Sequence, residues 1–280
     1  MTGSTAPGPQ LTQPLPDLAA WAAHFRAAEI PVLAQTAAAL EALRANEDVV
    51  DANGIGETIA SDPLMTLKVL AYASTHRSAR VVTDVETVTS ALVLMGISPF
   101  FRAFGPQPTI EDRLIGDPDA LQGLTDTLRR AHRGADFALG FAVHRMDHDA
   151  AVIHAAALLH DFAEMLLWCH APALALRIRD AQRAEPTLRS SAAQLAVLNI
   201  ELADLRQTLM KGWRLPELLI RISDDRHADT ASVRSVTLAL RLARHTAQGW
   251  DNAAIPDDVH DIADLLNLSQ TAALQFVREL

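Results

Sequence analysis

Apolar positions recur along this chain with the 3.6-residue spacing of helices. No segment shows the strict alternation of a half-buried strand. In "IASDPLMTLKVLAYAS", Asp62 is placed to cap the orphan amides of a helix whose first position is Pro63, and Leu64, Leu67, Val69 and Leu70 supply its packing face. In "TDVETVTSALVLMG", Thr83 and Glu86 have capping-box spacing, Val85, Val88, Leu92 and Met95 form one stripe, and Gly96 is the expected stop. "IPVLAQTAAALEALRAN" reads as a further amphipathic helix upstream. Residues 105–118, with three prolines and two glycines, mark a boundary. Beyond it the pattern predicts helices over about 119–146, 149–170, 172–184, 188–211, 216–226, 231–248, 257–266 and 269–279. The reading is an all-α, multi-helical, two-lobed protein: a flexible tail over 1–16, an N-terminal lobe over 17–108, and a second lobe with a helical extension over 117–280.

Composition narrows the function classes. The 280 residues are 49% hydrophobic, rich in Ala and Leu, and carry a net charge of −10. That balance argues against a broad nucleic-acid or anionic-membrane surface, since both need clustered Lys and Arg. The single cysteine, Cys169, rules out an intrachain disulfide and a cysteine-rich zinc site, and fits a reducing cytosol. The N-terminus lacks the basic start and apolar core of a signal peptide. No apolar run free of charge reaches membrane-spanning length; the longest, near 150–169, is broken by His154, His160, Asp161 and Glu164. A cytoplasmic location is expected.

The candidate chemistry centres on His160-Asp161 in "LLHDF". Neighbours on a helix point about 100° apart, so both reach one metal only from the helix edge, with other helices completing the set. Imidazole and carboxylate suit Mn, Fe or Zn, and His132 on the preceding long helix is the candidate third ligand. Against this, the pair reads as hydrogen-bonded polar groups of a buried helix, with Glu164 one turn on as a partner. His144 and His148 also have helical chelate spacing but read as a solvated turn. There is no Gly-x-Ser-x-Gly, no Gly-rich phosphate loop, and Cys169 sits in an apolar helix as an inert thiol. Five arginines, Arg77, Arg80, Arg129, Arg130 and Arg133, are cations that a ligand in an inter-lobe groove could use.

Taken in order, "IPVLAQT", "IASDPLMTLKVLAYAS", "VETVTSALVLMG", "HAAALLHDFAEMLLW" and "GWRLPELLIRI" resemble the HDOD family, the bacterial HD-related output domains, over about residues 25–228. The resemblance implies an N-terminal helical lobe, a second lobe related to HD-domain phosphohydrolases, and a role in bacterial signal transduction. Partners would be signalling proteins, including those of cyclic-di-GMP or kinase pathways. The chain departs from the family's pattern. His160-Asp161-Phe162-Ala163-Glu164 stands where the family has His-Asp-Ile-Gly-Lys. Leu202 stands for a histidine, Arg206 for a glycine, Arg226-His227 for a His-His pair, and Ala73-Ser74 for Asn-Ser. The expectation is therefore a non-catalytic regulatory protein with no catalytic residues and no cofactor. Its degenerate metal site would survive as a vestige in His132, His160, Asp161, Glu164 and His227. Asp224 and Asp225 are candidate substitutes that the sequence does not place. The competing expectation is a metal-dependent phosphohydrolase or phosphodiesterase acting on a nucleotide, with His132, His160 and Asp161 holding Mn, Fe or Zn.

Overall fold

The computed structural model describes residues 9–76, 85–227 and 230–280. The N-terminal part runs α1 (Leu18–Ala27), α2 (Ala34–Arg44), α3 (Ala52–Ala60), α4 (Pro63–Thr75), α5 (Val88–Met95), α6 (Ile97–Ala103) and α7 (Ile110–Arg113). The rest comprises α8 (Pro118–His144), α9 (Ala150–Leu158), α10 (Phe162–His170), α11 (Pro172–Ala184), α12 (Ser190–Leu198), α13 (Leu202–Gly212), α14 (Glu217–Ile222), α15 (Ala231–His245), α16 (Ile255–Leu266) and α17 (Gln270–Glu279). The fold is all-α. Among the described residues there is no strand, only one bridge joining Val32 to Thr109.

Local chemistry explains the starts and stops. Asp62 caps α4 by accepting from the amides of Leu64 and Met65, and Pro63 opens the helix as its spacing predicts. Asp117 and Pro118 open the long α8 in the same way. Gly96 ends α5 with φ of 82°, a conformation glycine adopts without a Cβ penalty. The start of α5 differs from the sequence reading. Thr83 lies outside the described residues, and the capping box is formed by Thr87 and Ser90.

Two apolar clusters make the core. The smaller gathers α2, α3, α5 and α6 around Leu40, Ile55, Ile59, Leu92 and Phe100. The larger is built on α8, α9, α10, α13 and α15. Between them, α4 gives Met65 and Val69 to the first cluster and Leu64, Leu67 and Leu70 to the second. A helix buried on both sides needs apolar residues nearly all round, which is how "PLMTLKVLAYA" reads.

Three points of organisation follow from the packing. Helix α1, expected in the N-terminal lobe, packs on α13 in the larger cluster, and Trp21 Nε1 donates to Leu198 O at 3.0 Å. Of the expected flexible tail, residues 1–8 lie outside the described residues. Residues 9–16 lie against the larger cluster, where the Leu11 amide donates to His170 O at 2.8 Å. The C-terminal extension is integral, since α15 runs along α8 and buries Val236, Ala239, Leu240 and Ala243 there. Ala150–His170 has the length and hydropathy to cross a membrane, but most of it is buried inside the protein, as suits the central helices of a core.

Candidate functional site

His160 and Asp161 do not sit within a continuous helix, as the apolar run predicts. Residues 159–161 form a turn between α9 and α10. Asp161 occupies the N-cap position of α10, yet its side chain makes no cap bond. The carboxylate turns away from the helix amides toward α8, where stronger partners stand.

Those partners make a network. Arg130 on α8 donates from Nε to Asp161 Oδ2 at 3.0 Å and from Nη2 to Glu164 Oε2 at 2.8 Å. Arg130 and Asp161 are only about one-fifth exposed (22% and 20%). The other Asp161 oxygen, Oδ1, lies 2.8 Å from His160 Nδ1. The far nitrogen, His160 Nε2, lies 3.2 Å from Asp225 Oδ2. Arg206 closes the chain of contacts. Its Nη2 donates to Asp225 Oδ2 at 3.1 Å and to Ser223 O at 2.9 Å, and its Nη1 donates to His160 O at 3.1 Å. One side chain thereby ties α13, the His160 turn and the 223–225 segment together.

Charge follows this geometry. Burial works to raise the Asp161 pKa, but the facing Arg130 guanidinium and the His160 hydrogen bond hold it well below the usual carboxylate range. Asp225 behaves alike: burial opposes ionisation, while His160 and Arg206 keep its carboxyl depressed. Glu164, and then Asp161 against the cost of burial, hold Arg130 firmly protonated. Packing fixes the outer edge. Trp168 lies on Gly123 so closely that a Cβ there would overlap the indole ring, and its Nε1 donates to Thr127 Oγ1 at 3.2 Å. Thr127 in turn donates to Glu164 Oε1 at 2.9 Å.

The expected site residues divide. His160, Asp161 and Glu164 come together. His132 does not join them: two positions beyond Arg130 the helix has turned about 200°, and His132 instead lies near His154, whose pKa burial and the His132 charge lower. The side chain of His227 lies outside those described. Among the described residues no set of three His, Cys, Asp or Glu side chains is arranged to hold a metal ion. Two residues that sequence reasoning could not assign complete the network. Asp225 takes the far nitrogen of His160, and Arg206, noted only as a departure from a family glycine, reaches both. Arg130 carried a faint signal, since it lies 31 residues before Asp161 on a helix predicted to face it.

A 560 Å³ cleft opens beside this network. It lies within the larger cluster, lined from α8, α10, α11, α12 and α13 together with Asp225 and Arg244. This cleft lies inside the C-terminal part, apart from the inter-lobe groove considered from sequence. Of the five arginines named from sequence, Arg130 lines it. Arg129 and Arg133 are placed elsewhere on α8, and Arg77 and Arg80 lie outside the described residues.

Comparison with known proteins agrees with this architecture. The structure of the MmoQ response regulator from Methylococcus capsulatus superposes with a TM-score of 0.65 at 20% identity, covering 90% of this chain and 98% of that one. A virulence factor from Campylobacter jejuni superposes with a TM-score of 0.65 at 16% identity, covering 93% and 97%. At such identities the likeness speaks to the fold. No curated protein matches by sequence. The model of the HDOD domain matches residues 30–228, which is most of the chain and includes α2 through α14, so this chain belongs to the HDOD family.

Proposed function

We propose that this protein is a non-catalytic regulator of bacterial signal transduction, acting by binding a partner protein or a small ligand, and that its His-Asp pair is a structural clasp. The observation that carries the reading is the placement of Arg130 and Arg206. Guanidinium groups supply the positive charge that HD enzymes take from metal. A divalent ion needs free lone pairs from His160 and Asp161. Both ring nitrogens of His160 point at carboxylate oxygens, both Asp161 oxygens are engaged, and a dication there would sit beside Arg130. Glu164, in the family's lysine position, would also repel a phosphate placed at the His-Asp pair itself. Membership of the HDOD family and the response-regulator name of the Methylococcus structure accord with a regulatory role. So does the response expected of a cleft whose wall ties together four separate elements: a bound ligand there would shift how they pack. A cytoplasmic location and a partner from a signalling pathway belong to the same proposal.

Metal analysis of the purified protein, together with a phosphatase and phosphodiesterase panel, tests it. The expected result is no His160-dependent turnover with Mn, Fe or Zn supplied. Stoichiometric metal, with turnover that His160→Ala abolishes, would overturn it.

A further inference from the structure

The cleft's charges balance on paper and not in their commitments. Five arginines line it (130, 179, 183, 206 and 244) against five carboxylates, those of Asp126, Asp161, Glu164, Glu201 and Asp225. Most are spoken for. Arg130 and Arg206 hold the clasp, Arg179 pairs with Asp180 and donates to Asp119 O, and Asp126 pairs with Arg129. Three lining groups make no hydrogen bond or ion pair among the described residues: Arg183, Arg244 and Glu201. Arg244 stands close enough to Asp161 to help keep that carboxylate ionised, yet it makes no hydrogen bond there, so its donors and those of Arg183 remain available to a ligand.

Apolar side chains stand among these charges. Leu167, Ala175, Ile178 and Leu202 line the same cleft, and Gln194 uses its oxygen on the Leu202 amide, which leaves its NH₂ to face a ligand. A volume of 560 Å³ falls in the range of small-molecule sites, which combine an apolar lining with a few placed polar groups. Guanidinium is the side-chain group best matched to a carboxylate or phosphate.

We infer that this cleft binds a small organic anion with an apolar or aromatic body, its acidic group held by Arg183 and Arg244 and its body lying on Leu167, Ala175, Ile178 and Leu202. The acid is a phosphate ester or a carboxylate, which share this recognition chemistry. The inference rests on reading the cleft as a binding site.

Calorimetric titration of the full chain separates the cases. Adenosine 5′-monophosphate and 3-phenylpropionate each carry an anion and a body. Adenosine, inorganic phosphate and acetate each lack one of the two. At least one of the first pair should bind tenfold or more tightly than its controls. That affinity should fall tenfold or more in Arg183→Gln/Arg244→Gln, a variant of two exposed side chains whose folding circular dichroism verifies. Binding no tighter than the controls, or unchanged in the folded double variant, would overturn the inference. Chromatography of the same samples with Mn present keeps the two readings apart. Hydrolysis of the nucleotide would defeat the non-catalytic reading and leave the binding inference standing, whereas absent binding without turnover would do the reverse.

Discussion

Two regions of this protein bury histidine next to arginine, with opposite results. In the clasp, His160 lies between Asp161 and Asp225, and Arg130 and Arg206 flank them, so the two carboxylates and Arg130 stay charged because each has an opposite charge at hydrogen-bond distance. At the seam between α1, α7 and α10, His170 receives a hydrogen bond from Arg113 Nη2 at 2.8 Å and packs against His24 and Phe25. Burial, then the nearby Arg113 and His24 charges, push the His170 imidazole down to about 3. The difference lies in the carboxylates. In the clasp each carboxylate faces a guanidinium and burial is outweighed; at the seam the neighbours of His170 are cationic or apolar, burial wins and that ring stays neutral.

The largest expected effect is on acid stability. His170 has a folded pKa far below its unfolded value of about 6.5, so the unfolded chain binds the extra proton. The stability linked to it is complete above about pH 6.5 and is lost progressively down to about pH 3, roughly 4–5 kcal/mol in all. The His24 pKa is lowered in the same direction, by burial and by Arg113. The clasp carboxylates are also depressed, but from an unfolded value of about 3.9, so their contribution disappears only below about pH 4. Urea unfolding from pH 7.5 to 4.5 should show a steep loss in the wild type, a flatter one in His170→Gln, and a wild-type slope in Asp161→Asn. Equal slopes for all three would erase the distinction between seam and clasp.

Next comes Arg206→Leu. The side chain is 5% exposed and satisfies two carbonyls and Asp225. Its loss removes the donor to the His160 carbonyl and the guanidinium beside Asp225, although Gln207 still donates to Ser223 O and His160 still faces Asp225, for about 3 kcal/mol by urea denaturation. A cost under 1 kcal/mol would mean that the clasp does not hold helices together. Gly123→Ala follows at about 2 kcal/mol, because the new methyl must displace a packed Trp168 ring. A near-neutral result there would show that the indole has room to retreat into the cleft.

Much of this was legible from sequence. Helix type and the capped start at Asp62-Pro63 follow from periodicity and short-range spacing, which a helix translates directly into geometry. The rest depends on distant partners. Nothing local places Asp225, 65 residues from His160, or shows that Asp161 leaves its cap position for Arg130. Nor does periodicity show that the run from 150 to 170 breaks at a turn, because Ala and Leu continue the apolar pattern through it. His132, the candidate third ligand, shares a helix with the true contributor, and two residues of helical rotation separate them.

The smallest effect sharpens the same contrast on a single helix. Arg129 and Arg130 are adjacent and face different surroundings. Arg129 pairs with Asp126 at 3.0 Å, with side chains 69% and 48% exposed. Arg130 pairs with Glu164 at 2.8 Å, with side chains 22% and 30% exposed. Water screens the first pair, so a double-mutant cycle of Arg129→Gln with Asp126→Asn should give a coupling of about 0.3 kcal/mol, fading in 0.5 M salt. The matching cycle of Arg130→Gln with Glu164→Gln should give about 1–2 kcal/mol and keep most of it in salt, because Thr127 and Asp161 fix both groups and limit water between them. Similar couplings for the two pairs would mean that the clasp is solvated like the surface. The arginines would then not hold the His-Asp pair closed, and a metal could compete for it.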